Sequence, residues 1–168
     1  MFKKHVLAAA LVALSATAIS APALAKEEKA QKMTAAEIVL PAVPDGMGQI
    51  VFFRTGGMGG AMGCSVNENG EKVSSLGAGR YFIMVTTPGK HEFSVKSEAK
   101  DVLTLEVEEG ETQFVMCKIK MGIVVGRPDI RPASEADFRK AKGLRMVDAD
   151  DMGPAPGALR PEMTAAAE

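Results

Sequence analysis

Residues 49–54 read QIVFFR, a short apolar run that indicates the fold class. Valine, isoleucine and phenylalanine favour extended strands, and the run is too short for a helix. Working outward from it, comparable segments lie at residues 62–67, 72–76, 80–86, 91–97, 101–108 and 112–120. Short strands at this spacing predict an all-β protein, either an antiparallel β-sandwich or an open barrel of about 7–8 strands.

Turn signals separate these segments. The Asn-Gly pair at residues 69–70 is the strongest short hairpin signal. Thr-Pro-Gly-Lys at residues 87–90 fits a type II turn, because proline presets φ and glycine accepts a positive φ. Further on, Ser134 begins a predicted short C-terminal helix over residues 134–142, which Gly143 ends. Two further strand candidates lie at residues 122–127 and 144–147.

The first 25 residues have the pattern of a secretory signal peptide. Lys3 and Lys4 precede an apolar run at residues 6–19, and Ala-Pro-Ala-Leu-Ala follows at residues 21–25. The apolar run is shorter than the roughly 20 residues that a membrane-spanning helix needs. We therefore expect cleavage after Ala25 and export to the periplasm, with no transmembrane segment in the mature chain.

Composition divides the rest of the chain into three parts. Residues 26–47 are charged and alanine-rich and are predicted to be a linker, while residues 48–147 form the β-sandwich domain. Residues 148–168 are rich in proline, alanine and glycine and are predicted to be a disordered tail. With 20 basic and 21 acidic side chains, the chain lacks the basic excess typical of nucleic-acid binding, so we expect no such partner.

Catalytic patterns are weak. Beyond the signal peptide His91 is the single histidine, so a Ser-His-Asp or Cys-His site would have to use it. We interpret His91 instead as a strand-edge residue that packs its ring against neighbours. Ser97 and Lys100 match Ser-x-x-Lys without its companion motifs, and residues 63–67 miss the nucleophile elbow by their last residue. We therefore predict that the protein is not an enzyme, with no catalytic residue and no cofactor.

Residues 56–63 form a Gly-rich segment, GGMGGAMG. It lacks the Gly-Lys-Ser/Thr ending of a phosphate-binding loop and predicts a flexible loop between two strands that could serve as a contact surface. An alternative function uses the soft sulfur ligands Met58, Met62 and Cys64, with Cys117, to bind Cu(I). Because the other methionines are scattered and methionine fills core gaps well, no metal site is the preferred prediction.

The two cysteines allow three interpretations. Cys64 and Cys117 both fall on predicted inward faces. They could form a structural disulfide, remain two buried thiols, or act as metal or redox ligands. The chain-entropy model gives a disulfide across this span about 4 kcal/mol of stabilisation. The absence of a Cys-x-x-Cys pair argues against oxidoreductase chemistry.

Four motifs carry a resemblance to a known family: GQIVFFR at residues 48–54, VNENGEKV at 66–73, GRYF at 79–82 and TPGKH at 87–91. In this order they resemble the bacterial envelope family known as domain of unknown function 2846, over residues 48–147. The resemblance implies an extracytoplasmic β-sandwich without catalytic residues. Many relatives look like lipoproteins, whereas this chain has no cysteine at the predicted cleavage site.

From these observations we predict a non-enzymatic module of the bacterial envelope with a structural or protein-interaction role. Its expected partner is another envelope protein, bound through an edge strand or through the Gly-rich segment.

Overall fold

The computed structural model describes residues 35–57, 60–97, 100–123 and 126–161. The predicted signal peptide and Met58 lie outside the described residues. Within the described part the chain forms nine strands and one short helix. In chain order they are β1 (Gly48–Arg54), β2 (Cys64–Glu68), β3 (Glu71–Leu76), β4 (Arg80–Thr86), β5 (Gly89–Lys96), β6 (Lys100–Val107), β7 (Thr112–Lys120), β8 (Arg127–Ala133), α1 (Glu135–Arg139) and β9 (Arg145–Met146).

The strands form two sheets, which confirms the predicted all-β sandwich. A five-stranded sheet has the order β8-β7-β1-β4-β9, and a four-stranded sheet has the order β3-β2-β5-β6. Most pairings are antiparallel, but β1 pairs with β7, and β4 with β9, in parallel. Because β1 to β7 reverse direction one after another, β1 and β7 run the same way when the chain brings them together. The sandwich is therefore mixed rather than purely antiparallel.

Strand β1 is buried on both faces, which explains its continuous apolar sequence. On the face toward the second sheet, the Phe52 ring stacks on Phe82 at 4.7 Å between centroids and meets Phe93 edge-on at 5.0 Å. On the opposite face, Phe53 packs edge-on against Phe138 of α1 at 5.3 Å. The molecule thus has two hydrophobic clusters that share the central sheet: an inner cluster around Phe52, between the two sheets, and an outer cluster around Phe53 and Phe138.

The structure contains the Asn-Gly hairpin and the helix cap that the sequence predicted. Asn69 and Gly70 have φ values of 49° and 90°, as the predicted Asn-Gly hairpin requires. Ser134 caps α1 by accepting from the backbone N–H of Asp137, whose carboxylate accepts from the Ser134 N–H in return. The helix ends at Arg139, earlier than predicted.

The weaker strand candidate at residues 122–127 is displaced. The strand lies at Arg127–Ala133, beyond the predicted position, and it contains Pro128 and Pro132. Because β8 is at the edge of its sheet, these prolines interrupt no second ladder. The two prolines argue against a strand in the sequence, and the strand is possible here because it lies at the edge of the sheet.

The segments predicted as a linker and a tail pack on the domain where they are described. Ala35 and Ile38 are buried, and Arg139 Nη1 donates to the carbonyl oxygen of Ile38 at 2.6 Å. The described residues after Asp148 run beside two strands rather than away from the domain. Their pairing is made by backbone groups, with Gly153 N donating to Val73 O at 2.8 Å and Leu159 N to Ile83 O at 2.8 Å.

Up to residue 161, the described part of the segment predicted as a tail is therefore held against the domain by backbone hydrogen bonds. Within the described ranges, no helix is both long enough and apolar enough to cross a membrane.

Candidate functional site

One end of the sandwich gathers the loops that the sequence singled out. The Gly-rich segment joins the end of β1 to the start of β2, and the loop between β7 and β8 lies at the same end because β7 runs parallel to β1. We call the described residues of 54–64, 76–80 and 118–127 the glycine-loop end.

A buried arginine anchors this end. Arg54 is 2% exposed, and its Nη1 donates to the carbonyl oxygens of Met62 and, at 3.2 Å, Leu76. Burial lowers the pKa of Arg54 from its ordinary value. The guanidinium joins the returning arm of the Gly-rich segment to the end of β3, so the loop has a fixed base.

Beyond that base, most of the described residues of the segment face solvent. Gly56, Gly57, Gly60 and Ala61 are exposed, and Gly57 has a φ of +136°, a conformation that favours glycine. A Cβ at Gly56 would meet nothing within 4 Å, so the segment leaves open space on its outer side. The described glycines and Ala61 form an open, exposed surface, which suits contact with another surface and not the enclosure of a small ligand.

The structure joins Cys64 and Cys117 in a disulfide with Cα atoms 6.6 Å apart. The bridge connects β2 with β7 and therefore ties one sheet to the other across the inner cluster. Of the three interpretations of the cysteines, this is the structural disulfide. No free cysteine remains in the described chain.

The disulfide also removes both cysteine ligands from the copper-binding alternative. Both cysteine sulfurs are bonded to each other and offer no thiolate, and Met58 lies outside the described residues. Met62 is partly buried and remains as the described member of that set with an available sulfur. No observation in the described structure favours copper.

Three carboxylates form a second group of potential metal ligands. Asp148, Asp150 and Asp151 place an oxygen each within 4.8 Å of one another, the single such group that the described residues contain. Asp148 is committed to an ion pair with Arg80 at 2.6 Å. The hydrogen bond from Arg80 lowers the pKa of Asp148, although partial burial opposes the shift. The pair fixes the segment after β9 to the start of β4.

His91 lies at the opposite end of the sandwich, where it joins β5 to β2. Its Nδ1 is 2.7 Å from Glu68 Oε1, and its Nε2 is 2.8 Å from the carbonyl oxygen of Thr87. The ring stacks near Phe93 at 6.2 Å. Since each ring nitrogen already faces an acceptor, His91 could act as a base only by giving up one of these contacts.

Ser97 and Lys100 are not brought to His91. They flank the turn between β5 and β6, whereas His91 lies near the start of β5. Lys100 Nζ instead lies 3.7 Å from Glu92. The structure therefore does not assemble the serine, lysine and histidine into one site.

Arg54 and Arg80 are structural anchors that were not predicted from the sequence. Both are buried and both bind backbone carbonyl oxygens, with Arg80 Nη1 donating to Met146 O at 2.8 Å. The available signal was the placement of an arginine directly at the end or start of an apolar strand, where a charge needs partners.

Comparison with known proteins gives one family. The model of the family described as "Protein of unknown function (DUF2846)" matches residues 44–128. No curated protein and no solved structure matches the chain.

Proposed function

The chain belongs to the DUF2846 family of proteins of unknown function, and from that premise we propose that it is an exported, non-enzymatic module that binds another protein of the bacterial envelope. The observation that carries the proposal is the glycine-loop end, where exposed glycines and Ala61 of the Gly-rich segment stand on a base held by Arg54.

Export is supported by two independent features. The first 25 residues have the three-part pattern of a secretory signal peptide. The disulfide between Cys64 and Cys117 is of a kind that forms and persists in oxidising compartments such as the periplasm. Together they favour a periplasmic location.

A non-enzymatic role is supported by the structural contacts that the cysteines and His91 make. The cysteines are joined to each other, and His91 is held between Glu68 and Thr87. Nucleophilic catalysis needs a nucleophile within hydrogen-bond reach of a base, and these residues are committed to structural contacts instead.

The Gly-rich segment is favoured over a sheet edge as the binding surface. The described C-terminal segment covers the outer edges of β3 and β4 through hydrogen bonds such as Gly153 N to Val73 O. Strand β8 carries two prolines, and β6 is engaged by contacts such as Asp101 Oδ2 accepting from Ile130 N at 2.8 Å. Strand addition needs a free edge, which these contacts restrict.

The test is site-specific photo-crosslinking in cells that make the full chain. A photoreactive amino acid at Ala61, which is exposed in the Gly-rich segment, is expected to capture one defined protein of the envelope. The matched control is Ala136, an exposed alanine on α1. An Ala61→Arg variant should compete poorly for the same partner, and an Ala136→Arg variant should compete normally. Equal adducts from both positions, or none from Ala61, would contradict the proposal.

A further inference from the structure

The loop between β7 and β8 exposes apolar side chains. Met121 is 84% exposed and Ile123 is 95% exposed. In the described part of the chain, the other large hydrophobic residues with high exposure are Val39 at 76% and Val102 at 45%. Two of these four residues therefore occupy one short loop at the glycine-loop end, where their contact with water is unfavourable.

The strands that carry this loop are strongly basic on the surface. From residue 118 to 131 the charged side chains are Lys118, Lys120, Arg127, Asp129 and Arg131, and the four cations are exposed. Lys120 lies directly opposite Arg127 in the β7–β8 ladder, a like-charge pair that destabilises a sheet. Asp129 pairs with Lys120, and Lys100 and Asp101 of β6 line the same surface cleft, so the cations around the loop still outnumber the carboxylates. This basic region stands on a chain whose formal net charge is −1.

A single kind of surface relieves both unfavourable features. The interface of an anionic bilayer accepts apolar side chains at the boundary between headgroups and acyl chains, and its phosphates attract lysine and arginine. A nucleic acid would satisfy the cations and leave the apolar tip in water, while an apolar protein groove would do the reverse.

We propose that the β7–β8 tip, defined as Lys118, Lys120, Met121, Ile123 and Arg127, docks on the surface of an anionic phospholipid bilayer. Met121 and Ile123 enter the headgroup boundary, and the three cations contact lipid phosphates beside them.

The tip is held in position for this contact. Strand β7 pairs with β8 from Phe114 to Lys120, and Asp101 of the other sheet accepts from Ile130 N at 2.8 Å. At the base of the loop, a Cβ on Gly126 would lie 2.7 Å from Met62 Sδ, so the Gly-rich segment stands directly beside the tip. Docking would place that segment near the bilayer, although the inference does not depend on the proposed protein partner.

Vesicle sedimentation with the purified protein tests the docking. The protein should pellet with vesicles of one-third phosphatidylglycerol and two-thirds phosphatidylcholine, and stay in solution with pure phosphatidylcholine. Replacing Lys118 and Arg127 by glutamine should weaken partitioning about 5-fold for each charge removed, and added salt should weaken it further. A Lys140→Gln and Lys142→Gln double variant, which changes exposed cations near α1, is the matched control.

The apolar part of the contact has its own variants and its own probe. Met121→Ser with Ile123→Ser should lower partitioning at least tenfold, while Val39→Ser, an exposed apolar residue outside the tip, should leave it unchanged. Because the chain has no tryptophan, Ile123→Trp introduces a single tryptophan, which can be excited selectively at about 295 nm beside Tyr81. Its emission should shift to the blue on anionic vesicles, and that of Val39→Trp should not.

Several outcomes would overturn the inference. These are no sedimentation with anionic vesicles, equal sedimentation of the tip variants and the wild type, or an unshifted Ile123→Trp emission. A tip-dependent dimer in gel filtration without vesicle binding would assign the surface to a second copy of the chain and also refute the bilayer. Since the vesicles contain no protein, failure here leaves the crosslinking test of the protein partner unaffected.

Discussion

Reducing the Cys64–Cys117 disulfide should remove a large share of the protein's stability. The cysteines are 53 positions apart in the sequence and connect the two sheets. Closing a loop of this length lowers the entropy of the unfolded chain, which corresponds to about 4 kcal/mol of stabilisation at 25 °C. Small domains have total unfolding free energies of about 5–15 kcal/mol, so the reduced protein should keep its fold with a much smaller margin.

The assay is guanidinium denaturation of the wild type with and without a reductant, followed by far-ultraviolet circular dichroism. The denaturation midpoint should fall by roughly 1–2 M on reduction. A Cys64→Ala and Cys117→Ala double variant is the control, and its midpoint should not respond to the reductant. If oxidised and reduced wild type differ by less than about 1 kcal/mol, the bridge does not act on the unfolded chain as argued.

Three further predictions concern the segments that close the domain. Gly153→Ala should destabilise the protein by about 1–3 kcal/mol in urea denaturation, because a Cβ there would lie 1.9 Å from Lys72 O; unchanged stability would show that the tail is not docked. Asp148→Asn should lower the melting temperature at pH 7. The folded-state pKa of Asp148 is lowered, so the ionised carboxylate stabilises the fold at pH values above its unfolded-state pKa of about 4. The difference in melting temperature between variant and wild type should therefore disappear as the pH falls through the lowered folded-state pKa. A constant gap from pH 7 to pH 2 would contradict this. Phe138→Ala should cost about 3–5 kcal/mol, since the ring is fully buried; a loss below about 1 kcal/mol would show that α1 does not anchor the outer cluster.

The sandwich was predictable because its signals are local. The apolar run at residues 49–54 and the Asn-Gly turn at residues 69–70 act through the intrinsic preferences of neighbouring residues. The capping residue Ser134 likewise marks the start of α1 within a few positions of sequence. Such signals fix where strands and turns form without any knowledge of distant contacts.

The missed elements depend on distant partners. Strand β8 contains Pro128 and Pro132, and only its place at a sheet edge makes them acceptable. The described C-terminal segment is held by backbone hydrogen bonds, which leave no pattern in its side chains. Parallel pairing of β1 with β7 follows from the order of all the intervening strands, which the local pattern of either strand does not contain.

The site was predictable in part. The sequence predicted that the Gly-rich segment is a loop. A disulfide was one of three interpretations of the two cysteines, and the structure shows the disulfide. The sequence could not show that Arg54 holds the base of the loop, because this requires the loop to return Met62 to Arg54 and β3 to end beside it at Leu76. Nor could it place the basic and apolar residues of the β7–β8 tip beside that loop.

The proposed function describes an exported, disulfide-bonded module that has neither a metal centre nor catalytic chemistry of its own. Native intact-mass spectrometry of the protein released from the periplasm without reductant tests it most directly. The account predicts a chain that begins at Lys26, carries no metal and is about 2 Da lighter than the reduced form because one S–S bond replaces two S–H bonds. A chain that retains residue 1 and both thiols, or one that carries copper, would contradict it.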